Sequence, residues 1–152
     1  MDHIINKWDL RYLHMAQLVS TWSKDPSTKT GAVFVDSENR VISVGFNGLP
    51  RGEEDDYEIL NNRKRKYQHI IHCEENAVLF ADRERLKGST LYTWPFMSCV
   101  KCMNRNIQVG CIRHVAPYDD NPRWVDSFKE TRELCKKYNV ELLEVNLKNF
   151  GF

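Results

Sequence analysis

A mixed α/β fold is predicted, with one five-stranded sheet between two layers of helices. Three observations carry it. Helix-period and strand-period segments alternate along most of the chain. The first two strand segments are joined by a short turn, which makes them antiparallel. The later strands are separated by helical segments, so those strands run parallel through right-handed crossovers.

Trp8 to Trp22 places its apolar residues on one broad helical face, with Asp9 suited to the positive end of the helix dipole. Pro26 forbids the helix from continuing through the polar stretch 23–29. Gly31 to Val35 is a compact apolar strand, Asp36 to Arg40 a turn, and Val41 to Phe46 an alternating strand. Residues 53–66 are strongly polar and end in Arg63-Lys64-Arg65-Lys66, which reads as a solvated loop or helix end. His72 to Phe80 forms a short helix, and Thr90 to Trp94 a strand stopped by Pro95. A second short helix spans Ser98 to Gln108, with Ser98 placed to cap it. Cys111 to Val115 is a strand, Pro122 to Tyr138 a long amphipathic helix, and Val140 to Val145 the last strand. The 152 residues show no linker or repeat and are expected to form one domain over 1–152.

Composition narrows the function. A net charge of +1 argues against a nucleic-acid partner, which normally requires a basic excess. No apolar run approaches the ~18 residues of a membrane span, and Met1 to Asp9 has no signal-peptide character, so a reducing intracellular setting is expected. Five cysteines in such a setting favour metal or catalytic use over disulfides. Cys111 and Cys135 fall in apolar surroundings and read as buried thiols.

Chemistry concentrates in two segments. His72-Cys73-Glu74 opens one helix, and Cys99-Val100-Lys101-Cys102 opens the next after a single strand. Two thiolates three residues apart on a first helical turn can reach one ion. With one imidazole they leave a fourth zinc position open, the arrangement of catalytic rather than structural sites. Glu74 is placed to move protons for a hydrolytic zinc. H-x-E followed by C-x-x-C is the zinc-deaminase pattern, with His72, Cys99 and Cys102 as ligands and Glu74 as proton shuttle. A redox dithiol would leave His72 and Glu74 without a task.

These motifs, with Trp22-Ser23-Lys24-Asp25-Pro26-Ser27-Thr28-Lys29-Thr30-Gly31-Ala32 and Gly45-Phe46-Asn47-Gly48-Leu49-Pro50-Arg51-Gly52, extend over nearly the whole chain. The sequence resembles the phage-type deoxycytidylate (dCMP) deaminases of the zinc-dependent cytidine deaminase superfamily. That resemblance implies a cytidine-deaminase-like α/β/α fold and hydrolysis of dCMP to dUMP and ammonia at one catalytic Zn2+. It places the backbone at Cys73 against the pyrimidine carbonyl and a carbonyl near Ser98 at the leaving amino group. Asn47 is implied at the sugar 3′-hydroxyl, and Ser23 and Lys24 near the substrate phosphate. Gly45, Asn47, Gly48, Arg51 and Gly52 resemble a loop for effector phosphates. The family pattern is a homohexamer activated by dCTP and inhibited by dTTP, with Mg2+ beside the effector triphosphate, in the cytoplasm (the host's, if phage-encoded). An arginine fork would also suit the substrate phosphate, which leaves Arg113 and Arg51 open as its ligands.

The chain departs from the family pattern in three ways. Ser98 stands where a proline usually precedes the first zinc cysteine. The stretch from Tyr92 to Cys99 is one residue longer, and 53–69 lacks the histidines and cysteines of a second zinc site. Rival readings are a related deaminase acting on dCTP or on tRNA adenosine, and a non-enzymatic zinc module that senses nucleotides. A free-nucleoside deaminase fits less well, because a helix separates the last two strands and implies that they are parallel.

Overall fold

Gly31–Val35 (β1) and Val41–Phe46 (β2) form the expected hairpin. Thr90–Trp94 (β3), Arg113–Pro117 (β4) and Glu141–Val145 (β5) complete a single sheet in the order β2-β1-β3-β4-β5. β1 is antiparallel to both neighbours, while β3, β4 and β5 are parallel. This computed structural model describes residues 5–52 and 57–152. The start of the polar N-terminal stretch and the start of the 53–66 stretch lie outside the described residues.

The central position of β1 explains its unbroken apolar composition. Every residue of it is buried, and with a side-chain period of two it must supply both faces. Ala32 and Phe34 join a cluster with Ala77, Leu91 and Met103, while Val33 and Val35 join one with Leu13, Ala16 and Tyr92. Burying a side chain the size of Phe34 contributes roughly 2–3 kcal/mol. The helices follow in order as Lys7–Ser20 (α1), Tyr57–Asn61 (α2), Arg63–His69 (α3), Cys73–Leu79 (α4), Val100–Gln108 (α5) and Val125–Lys137 (α6). α1 covers one face of the sheet, and α4, α5 and α6 contribute to the cluster on the other. Among the described residues no helix is long and apolar enough to cross a membrane.

Asp9 shows how one residue serves several contacts. With Asn6 it forms a reciprocal cap at the start of α1, through bonds of 2.9 and 3.1 Å. Its fully buried carboxylate also accepts both arms of Arg113, at 2.6 and 2.9 Å, and the Tyr92 hydroxyl at 2.7 Å. Burial works against this charge, but the bonds from Arg113 and Tyr92 outweigh it and hold the carboxyl below the usual range. Arg113, left open as a phosphate ligand, is thereby committed to tying α1 to β4, with Glu141 as a second partner at 3.2 Å.

Several expectations shift. The Arg63 to Lys66 run, read as a solvated loop or helix end, forms the first half of α3, with Arg63, Lys64 and Arg65 exposed and Lys66 pointing inward. Cys111 and Ile112 precede β4, because their N–H groups bond to Asn106 and Ser89 before the parallel ladder begins. α6 starts at Val125, not near Pro122, and Cys99 rather than Ser98 occupies the N-cap of α5. Gly45 serves close packing. A Cβ there would lie 2.3 Å from the Cys73 carbonyl oxygen and 2.5 Å from the Ala77 nitrogen, so only glycine lets α4 settle on β2.

Candidate active site

Two helix starts converge beyond the end of the central strand β3. His72 is the N-cap of α4, Cys99 is the N-cap of α5, and Cys102 lies in the first turn of α5. The His72 Nδ1 atom is 3.2 Å from Cys102 Sγ and 3.7 Å from Cys99 Sγ. The three ligand atoms lie within 4.8 Å of one another, the one such metal-ligating group among the described residues. A tetrahedron with zinc–nitrogen and zinc–sulfur bonds of ordinary length has nitrogen–sulfur edges of about 3.5 Å, so the donor set fits zinc in both chemistry and spacing. The contact from Cys102 pulls the Cys99 thiol down to about 5, whereas the same contact raises Cys102. A hydrogen bond with Cys99 raises His72 to about 9.

Glu74 is buried beside this group, and the Cys73 thiol donates to its Oε1 at 2.9 Å. Burial raises the Cys73 thiol well above its ordinary value and keeps it protonated as that donor. The neighbouring Glu75 is engaged elsewhere, paired with Arg105 at 2.6 Å and accepting the His72 N–H at 3.4 Å.

A cavity of about 200 Å³ opens over these groups. His72, Cys73, Glu74 and Cys99 line it together with Trp94, Phe96 and Met97. Asp25, Ser27, Thr28, Thr30 and Asn47 form another part of the wall, and Lys66, Tyr67, Arg123 and Trp124 bring its cations and two more aromatic rings. Asn47 Nδ2 donates to the Thr28 carbonyl at 2.9 Å and to Asp25 Oδ2 at 3.4 Å, and its Oδ1 accepts the Thr30 N–H at 2.9 Å. One lone pair on that oxygen remains for a ligand. Lys66 bonds to Asp25 at 3.2 Å and Ser27 at 2.6 Å, and Arg123 donates to the Tyr67 hydroxyl at 2.9 Å. Burial raises Asp25, but the Ser27 and Thr28 N–H groups and Lys66 prevail and lower it.

Other candidates fall outside this cavity. Ser23 is buried with its hydroxyl on the Asn47 carbonyl at 2.9 Å, and neither it nor Lys24 lines the wall. Arg51 instead lies over the exposed Phe80 ring, 5.4 Å from its centroid. Gly48 exchanges both backbone bonds with Ile71, and the Asn47 N–H goes to Thr30, so these two donors are engaged within the protein. Gly52 adopts a left-handed φ of +89° with open space around it. The sequence reading missed Lys66, Tyr67, Trp94 and Arg123, whose local patterns are those of surface or core residues.

Ser98 is held on every side. Its N–H donates to His114 Nε2 at 3.1 Å, its carbonyl accepts the Thr131 hydroxyl at 2.8 Å, and its own hydroxyl accepts from Asn106 at 3.3 Å. His114 is fully buried and its other ring nitrogen meets the Leu91 carbonyl at 3.1 Å; burial lowers its pKa and keeps it neutral. A proline has no N–H to give His114, which accounts physically for the absence of proline at this position. Ser98→Pro should therefore cost about 1–3 kcal/mol through the orphaned ring nitrogen. Urea denaturation of the zinc-loaded protein checks this, and an unchanged midpoint would contradict the account.

An α/β/α protein that gathers a His/Cys/Cys donor group beside a buried carboxylate has the architecture of a zinc-dependent hydrolytic enzyme. The family model "Cytidine and deoxycytidylate deaminase zinc-binding region" matches residues 6–117, and the chain belongs to that family. It is 39% identical to an uncharacterized deaminase in the luxG 3′ region of Aliivibrio fischeri, covering 91% of this chain and 94% of the relative. It is 36% identical to a probable deoxycytidylate deaminase of Drosophila melanogaster, over 88% of this chain and 70% of that one. The fold is shared with the dCMP deaminase of cyanophage S-TIM5, crystallised with dCMP and dUMP. There the TM-score is 0.69 at 20% identity, with 94% of this chain and all of the other covered.

Proposed function

We propose that this protein is a dCMP deaminase that hydrolyses dCMP to dUMP and ammonia. The supporting observation is a single cavity lined both by His72, Cys99 and Glu74 and by the cations Lys66 and Arg123, so that groups for the base chemistry and for a 5′-phosphate share one site. The names of the relatives point the same way.

His72, Cys99 and Cys102 would hold the zinc, which when bound lowers the pKa of a water to about 7. Glu74 is the proton carrier. With Oε1 held by Cys73, Oε2 takes a proton from the attacking water and delivers it to N3 of the pyrimidine as the oxygen adds to C4. Glu74, a carboxylate again, then takes the proton of the new C4 hydroxyl and passes it to the amino nitrogen. The C4–N bond breaks, ammonia leaves and the C4 carbonyl of dUMP remains. The Cys73 backbone faces the pyrimidine carbonyl, a carbonyl next to Ser98 receives the amino group, and Asn47 Oδ1 accepts the 3′-hydroxyl. The phosphate is assigned to Arg123 and Lys66 in place of Ser23 and Lys24, because those two cations line the cavity. Regulation by dCTP and dTTP, with Mg2+ and through Arg51 and Gly52, belongs to the same reading, as do a homohexamer and a cytoplasmic setting that keeps the ligand thiols reduced.

Ultraviolet absorbance of zinc-loaded protein with dCMP, deoxycytidine and dCTP in parallel tests the reading. Turnover of dCMP well above the others is expected, and rapid turnover of dCTP with dCMP untouched would overturn the substrate assignment. Arg123→Ala should raise KM for dCMP by about tenfold or more, the scale of one charged hydrogen bond, while leaving turnover of deoxycytidine alone. Equal losses on both substrates would remove Arg123 from the phosphate.

A further inference from the structure

After β5 the chain returns to Trp94, a residue of the cavity wall. Leu147–Asn149 makes one 3-10 turn, and Gly151 adopts a left-handed φ of +72°, a conformation that costs glycine nothing. Leu147 and Phe150 pack against the cluster containing Tyr12, Leu13 and Tyr92. Phe152 then stacks on His14 of α1, with centroids 3.9 Å apart and planes 12° apart. It also stacks on Trp94, at 5.4 Å and 23°. Trp94 ends β3 and lines the cavity, whereas Phe152 does not. Among the described residues, Phe152 is the aromatic ring stacked on that indole.

We propose that Phe152 is a positioning residue for nucleotide recognition, fixing the orientation of the Trp94 indole and hence the shape of the wall that receives the nucleotide. The inference rests on reading the cavity as a nucleotide site. An indole already held in place loses little freedom when a ligand arrives, so the contribution appears in binding rather than in the chemical step. His14 backs the Phe152 ring and transmits the position of α1 to it.

Phe152→Ala should raise KM for dCMP about two- to tenfold, the scale of one aromatic stacking pair, with kcat within about twofold. Phe152→Tyr should restore the wild-type KM. Should Phe152→Ala fail to fold, Phe152→Leu and His14→Ala carry the same comparison with smaller shifts. Hydrogen exchange provides a readout independent of turnover, with the backbone amides of Trp94, Phe96, Met97 and Ser98 exchanging faster in Phe152→Ala and those of β1 unchanged. An unchanged KM in a folded Phe152→Ala protein overturns the proposal. If the wild-type protein leaves dCMP untouched, it is the proposed function that fails. The exchange comparison then decides the role of Phe152, with faster exchange at those four amides supporting it and unchanged exchange overturning it.

Discussion

Glu74→Gln should lose turnover of dCMP by about 10²–10⁴ while keeping its zinc and its affinity for the nucleotide. Glutamine matches the carboxylate in size and still accepts the Cys73 thiol through its amide oxygen, so the wall of the cavity is preserved. It has no atom that can take a proton from water at neutral pH and return it to nitrogen. The loss therefore falls on kcat, and KM should move little. Metal analysis, calorimetric binding of dCMP and initial rates on one preparation separate these quantities. A kcat near wild type would remove Glu74 from proton transfer. Glu75→Gln is the informative neighbour. Its carboxylate is paired with Arg105 and stands outside the cavity, so the same chemical change one residue later should cost far less.

What the sequence revealed, and what it hid, follows from the range of the interactions involved. β1, β2 and β3 were legible to the residue because each is a short apolar or alternating run closed by polar turn chemistry. The metal donors were legible because His72, Cys99 and Cys102 sit at helix starts, where spacing alone brings ligands together. Arg113 and Arg123 look alike as residues ten positions apart. What separates them is Asp9, more than a hundred positions earlier, which claims one guanidinium and leaves the other at the cavity. Lys66 posed the same difficulty. It closes a run of four basic residues, and only its pairing with Asp25, 41 positions away, turns it inward. β4 began two residues late for a related reason, since the N–H groups of Cys111 and Ile112 go to the carbonyls of Asn106 in α5 and of Ser89 just before β3 rather than to a strand. Local patterns thus carried the donors and the sheet, whereas the assignment of cations to a ligand depended on distant acids.

Removing one donor tests the metal site itself. Cys102→Ala should leave His72 and Cys99 as a two-atom remnant that gives up its zinc on dialysis, and turnover should fall below detection. Cys102 is the informative choice because its sulfur lies 3.2 Å from His72 Nδ1 and it is buried in the first turn of α5, where no other described side chain can replace it in the donor group. A protein that binds metal in its native state gains stability in proportion to the logarithm of metal concentration over the dissociation constant. Wild-type melting should therefore drop when a chelator is added, while the variant, having no tight site, should melt at the same temperature with or without chelator. This second readout separates loss of the ion from damage to α5. Misfolding would blur the far-ultraviolet spectrum and lower the melting temperature below that of chelator-treated wild type, whereas simple metal loss leaves the helices intact, gives a melting temperature near that of chelator-treated wild type and abolishes the response to chelator. One full equivalent of tightly held zinc in Cys102→Ala would mean that the ion is bound by a different set of atoms.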